Sequence, residues 1–137
     1  MSKKIGIIGH AVCVIVQNDE GKILAVSRKD DLTMFGLAGG KVDPEDGTNY
    51  DLAIIREAKE ETGIDIYDLK EIDVRDYSLD PTKLRTQHCF TAKFKGEIAS
   101  REELDKAGEF GIVKWLDKSE FNFYKEYNNE MFEKAGL

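Results

Sequence analysis

The chain is short of long apolar runs, of cysteine and of positive charge, and each shortage closes off a class of function. No apolar stretch in its 137 residues approaches the ~20 that a membrane-spanning helix needs. Met1-Ser2-Lys3-Lys4 followed by Ile5 to Val16 loosely mimics an export signal. Gly6, Gly9 and His10 interrupt that run, however, and no small-x-small cleavage site follows, so it reads as a start leading into a buried strand. The two cysteines, Cys13 and Cys89, sit in apolar, strand-like stretches, which predicts buried free thiols rather than a disulfide. A net charge of −7 offers no basic face to nucleic acid. With 41% apolar residues, 34% charged residues and two prolines, the expectation is one soluble, cytoplasmic domain over residues 1–137, partnered with neither membrane nor nucleic acid.

Acidity does not exclude an anionic substrate. A cluster of carboxylates can hold Mg²⁺ or Mn²⁺, and the metal then presents positive charge to phosphate. The bland alternative is acid that merely keeps the protein soluble.

Along the chain, His10 to Gln17 is apolar and β-branched and is followed by the turn residues Asn18-Asp19-Glu20-Gly21. Lys22 to Arg28 then reads as the return strand of a hairpin, and Lys29 to Thr33 as a loop. Met34 to Gly40 is apolar and glycine-rich, unlike a helix and compatible with a chain passing close to a ligand. The strongest helix runs from Asn49 to Thr62, with Thr48 and Asp51 as a capping box and Gly63 as its stop. Strands are predicted at Lys70 to Tyr77, Leu84 to Lys95 and Phe110 to Leu116. Arg101 to Lys106 reads as a short polar helix or loop, and Ser119 to Lys134 as a terminal amphipathic helix. There is no internal repeat, low-complexity tract or linker. Hairpins mixed with two helices indicate an α+β fold.

The helix is where the chemistry concentrates. Each residue advances about 100°, so Glu57, Glu60 and Glu61, at i, i+3 and i+4, project from one face. Leu52, Ile54, Ile55 and Ala58 lie around the other side and can anchor it to a sheet. Three stacked carboxylates repel one another unless cations hold them apart, and hard divalent ions take oxygen ligands. Taken alone, this face would read as solvated acid softened by Lys59 and Arg56. The glycine-rich turn ahead of it and the strands around it favour the metal reading.

The segment Gly39-Gly40-Lys41-Val42 followed by Arg56-Glu57-Ala58-Lys59-Glu60-Glu61-Thr62-Gly63-Ile64 resembles the Nudix box, G-x5-E-x7-R-E-U-x-E-E-x-G-U with U apolar. Charged, apolar and glycine positions coincide at its end, and the likeness extends from Ala11 to Asp117. The box-like segment Gly40 to Ile64 departs from the pattern by a two-residue insertion. Counting back from Arg56 puts Thr48 at the first acidic position, counting forward from Gly40 puts Asp46 there, and Glu45 stands beside it. The register with the insertion between Pro44 and Gly47 leaves Asn49 to Arg56 as uninterrupted helix.

The resemblance implies the Nudix fold, a mixed β-sheet sandwiched between helices. It implies Glu57, Glu60 and Glu61 as metal ligands, with the Gly39 carbonyl beside them and a downstream acid, Glu109 first and Glu102 or Glu103 behind it. Glu57 could instead orient or deprotonate water, and Arg56 would orient a glutamate through a salt bridge. The reaction implied is metal-assisted attack of water on phosphorus in a nucleoside diphosphate linked to another moiety, with Mg²⁺ or Mn²⁺ as cofactor. Nucleoside triphosphates and ADP-ribose-like or nucleotide-sugar substrates both stand open. Pro81 lies near, though not at, the position associated with ADP-ribose hydrolases, and the motif of coenzyme A-cleaving members is not evident.

Arg28, Lys41, Arg75 and Arg85 are candidate phosphate contacts, since cationic side chains grip phosphate, although solvated surface charge is the plainer reading of each. Phe35, Tyr77 and Phe90 are candidates to stack on a base, with core packing the commoner fate of strand aromatics. His88 and Trp115 read as structural. Family members commonly dimerise, so a homodimer is the prior. The alternatives are a non-catalytic Nudix domain that binds a nucleotide or partner protein, and an α+β domain whose acidic helix is only solvated.

Overall fold

The computed structural model describes residues 8–78, 82–99 and 111–137. Its centre is a six-stranded sheet in the order β4-β5-β1-β3-β2-β6, built from β1 (His10–Val16), β2 (Ile23–Ser27), β3 (Phe35–Lys41), β4 (Asp65–Tyr77), β5 (Arg85–Lys95) and β6 (Val113–Leu116). β1 and β5 are parallel and the other pairs antiparallel, so the sheet is mixed. Helix α1 (Tyr50–Thr62) packs on one face and helix α2 (Lys125–Lys134) on the other. The α+β fold with a mixed sheet between helices is thus as expected.

Alternation along β1 explains why two layers of helix are needed. Val12, Val14 and Val16 point to α1 and meet Ala53, Ile54 and Ala58. Cys13 and Ile15 point the other way, towards Tyr127, Met131 and Phe132 of α2. A strand apolar on both faces is stable only when both are covered. Leu52, expected among the anchoring residues, is 56% exposed. Ala53 takes the inward position instead, one helical step away.

Four further expectations are corrected. The Asn18 turn forms, with Asn18 Oδ1 accepting from the backbone N–H groups of Glu20 and Lys22. Yet only the Gln17–Ile23 bridge joins the two arms, because β3 inserts between β1 and β2. The cap of α1 is Asn49 rather than Thr48, its side chain accepting from Leu52 N–H at 3.1 Å. β4 begins at Asp65, five residues earlier than predicted, and two register shifts break its alternation. The terminal helix starts at Lys125 rather than Ser119. Lys118–Glu120 is a 3-10 turn, and Asn122 Oδ1 accepts from Phe35 N–H while Phe123 N–H donates to Phe35 carbonyl oxygen. Bonding to the end of β3 holds this stretch out of the helix. The predicted segment Arg101 to Lys106 lies outside the described residues.

At its far end α1 stops where it was expected to. Gly63 adopts φ +83° and donates to the Lys59 carbonyl, and a β-carbon there would come within 2.8 Å of Ala99 Cβ.

Candidate active site

The site is built where β3 passes under α1. Gly39 and Gly40 have no side chains, and α1 uses the space. A β-carbon on Gly40 would fall 2.7 Å from the Glu57 carboxyl carbon, and one on Gly39 would fall 2.1 Å from the Val12 carbonyl oxygen. Gly39 N–H donates to Glu61 Oε1 at 2.8 Å. The close approach of chain and ligand group expected at Met34 to Gly40 is therefore made, within the protein, by helix carboxylates.

The three glutamates share a face but not an environment. Glu61 is half-buried, and loss of hydration raises its pKa to about 8 against the opposing bond from Gly39, with Glu57 and Glu60 adding repulsion. Glu57 is raised mainly by burial, partly offset by Arg56. Glu60 lies outermost, its side chain 48% exposed.

Arg56 joins this face to the loop before it. Its Nη1 lies 3.3 Å from Glu57 Oε1 and 3.2 Å from Glu60 Oε2, while Nη2 lies 2.8 Å from Asp46 Oδ2 and 3.3 Å from Asp43 Oδ2. The Arg56 hydrogen bond holds Asp46 below the usual carboxylate range. Of the three residues at the irregular first acidic position, Asp46 is thus turned inward onto Arg56, while Glu45 and Thr48 are exposed. Pro44 to Asp46 forms a 3-10 turn capped by Asp43, which brings Asp46 back to the helix.

Beyond the glycines, on the α2 face, opens a cleft of about 340 Å³. Glu61, Gly39 and Gly40 lie at its edge, and Arg28, Lys41, Lys83 and Arg85 supply positive charge. The structure therefore brings together Gly39, Glu61, Arg28, Lys41 and Arg85 from the sequence-predicted set, with Glu57 and Arg56 behind the glycine edge. Arg75 is elsewhere, paired to Asp73 and Glu130. Tyr77 lines the cleft, whereas Phe35 and Phe90 are core. Glu102, Glu103, Glu109 and Pro81 lie outside the described residues. Among the described residues, no group of three or more His, Cys, Asp and Glu side chains draws together closely enough to hold a metal ion.

Sequence reasoning did not single out Gln87, Tyr124, Tyr127 or Asn128, which also line the cleft. Gln87 could have been found from its alternation with Arg85 on one strand face. The residues of α2 carry no such signal, because their place depends on how that helix docks. Asn128 is held there by donating to the Phe123 carbonyl at 2.7 Å.

The remaining candidates are structural. His88 is buried, with Nε2 2.9 Å from His10 Nδ1 and its ring stacked on Tyr50 at 3.9 Å. Burial lowers its pKa, against Glu71. Trp115 packs on Phe94 at 5.0 Å. Cys13 and Cys89 are buried free thiols, as expected. No helix among the described residues is long and apolar enough to cross a membrane.

The sequence model of the NUDIX domain matches residues 8–134. Among solved structures, the MutT NUDIX hydrolase from Burkholderia pseudomallei superposes with a TM-score of 0.69 at 22% identity, covering 89% of this chain and 95% of that one. A NUDIX hydrolase from Nitrosomonas europaea gives 0.75 at 16% identity, covering 93% and 88%. The NUDIX domain of Shewanella oneidensis NrtR, complexed with ADP-ribose, gives 0.68 at 19% identity, covering 93% and 85%. No curated protein sequence matches the chain. The architecture agrees with these neighbours, and the family match spans nearly all the residues that build sheet, helix and cleft. The chain belongs to the NUDIX domain family and is a Nudix-type pyrophosphohydrolase.

Proposed function

We propose that the chain is a divalent-metal-dependent hydrolase of a phosphoanhydride bond in a nucleoside diphosphate linked to another moiety. Nucleoside triphosphates and ADP-ribose-like or nucleotide-sugar compounds are its substrate classes. One observation carries this reading: the Gly39–Gly40 backbone, which binds Glu61 and leaves room for Glu57 behind it, edges a cleft lined by Glu61, Arg28, Lys41 and Arg85.

The donor chemistry fits a hard cation, although the glutamate side chains would have to draw closer together than they stand to hold one. Carboxylates raised by burial and mutual repulsion gain most from a positive charge, and oxygen is the ligand Mg²⁺ or Mn²⁺ prefers. Glu57, Glu60, Glu61 and the Gly39 carbonyl would hold it, with Glu109 as a further acid. When bound, such an ion polarises phosphate and lowers the pKa of water. Arg56 keeps Glu57 and Glu60 aligned as a positioning residue. Arg28, Lys41 and Arg85 receive phosphate charge, and Tyr77 offers an aromatic face. The ADP-ribose held by the NrtR domain supports that substrate class. A cytoplasmic location and, from the family's habit, a homodimer go with this reading.

A panel of nucleoside triphosphates, ADP-ribose and nucleotide sugars, assayed with Mg²⁺, Mn²⁺ or a chelator, tests it. Metal-dependent release of nucleoside monophosphate, pyrophosphate or phosphate is expected. Full activity in both Glu57→Gln and Glu61→Gln proteins would overturn the site. A second reading, nucleotide binding without hydrolysis, draws on Asp46 being engaged by Arg56 while Thr48 supplies no carboxylate. Saturable nucleotide binding with no turnover across the panel would favour it.

A further inference from the structure

Cys13 and Cys89 lie directly opposite each other on the parallel strands β1 and β5. Side chains so aligned share a face of the sheet, here the face of α2, and both thiols belong to one apolar cluster there. Neighbouring strands run ~4.7–4.9 Å apart, inside the ~4.4–6.8 Å between Cα atoms that a disulfide spans.

The two thiols differ in access. Their row across the sheet continues to Gly39 on β3 at one end and to Asp73 on β4 at the other. Cys13 keeps 7% of its surface exposed and lines the cleft. Asp73 closes the β4 end of the row, tied by Arg75 and Lys134, and Cys89 is wholly covered. The Tyr127 hydroxyl, 3.7 Å from Cys13 Sγ, covers the pair from α2. A small solute in the cleft meets Cys13 first and finds Cys89 directly behind it.

We propose that Cys13 and Cys89 are a modification site, a dithiol in the cleft floor that a small peroxide converts into an intramolecular disulfide. Cys13 Sγ attacks one peroxide oxygen and the O–O bond breaks. One oxygen stays on sulfur as a sulfenic acid, and the other leaves as water or alcohol with the thiol proton. Cys89 Sγ then attacks the Cys13 sulfur, the S–O bond breaks, and that oxygen departs as water with the Cys89 proton. Two thiols are oxidised by two electrons and one peroxide is reduced. This chemistry is independent of the hydrolase reading and is scored without an activity assay.

The reduced full-length protein is treated natively with hydrogen peroxide. Thiols are then counted in urea with a chromogenic reagent, and proteolytic peptides are weighed. Both cysteines should vanish together, with a linked peptide pair containing Cys13 and Cys89. The chain should still migrate as a single chain on a non-reducing gel, and dithiothreitol should restore both thiols. In Cys89→Ala protein Cys13 should instead form a sulfenic acid trapped by dimedone, and in Cys13→Ala protein Cys89 should remain a thiol. Retention of both wild-type thiols, or oxygen uptake without a linked peptide, overturns the site. Equal oxidation of Cys89 in the Cys13→Ala protein overturns the order of attack. The wild-type measurement decides alone if either variant fails to fold.

Discussion

Arg56 Nη2 sits 2.8 Å from Asp46 Oδ2, and this contact fastens the loop after β3 to the helix that bears the glutamates. The same guanidinium reaches Glu57 and Glu60. One side chain thus fixes the loop's course and spaces the carboxylates.

Arg56→Lys is therefore expected to keep the fold and lose the geometry. An ammonium is a point charge and cannot bridge loop and helix as a planar fork does. With Arg56 29% exposed, solvent screening limits the stability loss to about 1 kcal/mol, whereas kcat should fall at least tenfold. Urea unfolding beside steady-state kinetics checks both. An unchanged kcat would leave Arg56 with a purely structural role.

Glu61 makes stability depend on pH when no metal is bound. Its folded pKa, about 8, lies above the ordinary carboxylate value, so the folded state holds the proton more tightly than the unfolded chain does. The contribution is complete below the unfolded pKa and is lost as pH rises through about 8. Thermal melts in chelator should show wild type losing stability across that window, with Glu61→Gln flatter. Added Mg²⁺ should restore wild type but not the variant. Parallel pH curves for the two proteins would contradict the assignment.

The two glycines of β3 should respond differently to alanine. At Gly39 the new β-carbon meets the Val12 carbonyl, a backbone atom that cannot yield. A loss of about 3 kcal/mol or outright misfolding follows. At Gly40 it meets the end of Glu57, which can swing aside. That variant should fold but lose activity through a displaced Glu57. Circular dichroism and denaturant midpoints separate the cases, and equal tolerance at both positions would refute the geometry.

Asp73 fastens α2 to the sheet through Lys134, and it orients Arg75, which reaches Glu130 of α2. Arg75 holds the Asp73 carboxyl below the ordinary range, so its stabilisation is present at neutral pH and is lost as pH falls through the lowered value. Asp73→Asn should cost about 1–3 kcal/mol at neutral pH and show a shallower acid transition. Fluorescence-monitored acid unfolding of both proteins is the check.

Much of this was legible in local patterns. Helix α1, its Gly63 stop and its row of glutamates follow from spacing over a few residues, and β5 was legible to within one residue of its start. The order of strands is not local. Nothing in Asn18 to Gly21 reveals that β3 enters between the strands the turn connects. β4 hid its length because bulges break a period-two pattern, and Asp68 at φ +51° marks the place. The late start of α2 depends on bonds from Asn122 and Phe123 to a strand more than eighty residues earlier. Candidate cations could be named from the sequence, but only folding separates Arg28, Lys41 and Arg85 from Arg75. Asp46 needed the turn of Pro44 to Asp46 before its partner could be identified.

The bond from Gly39 to Glu61 has a consequence for how this sheet could be watched. An amide at the centre of a sheet ordinarily exchanges its hydrogen only when neighbouring strands part. The Gly39 amide is instead held by a carboxylate whose charge varies near neutral pH. Its exchange rate and chemical shift would follow the ionisation of a helix side chain, giving one backbone position that reports on the electrical state of the whole acidic face.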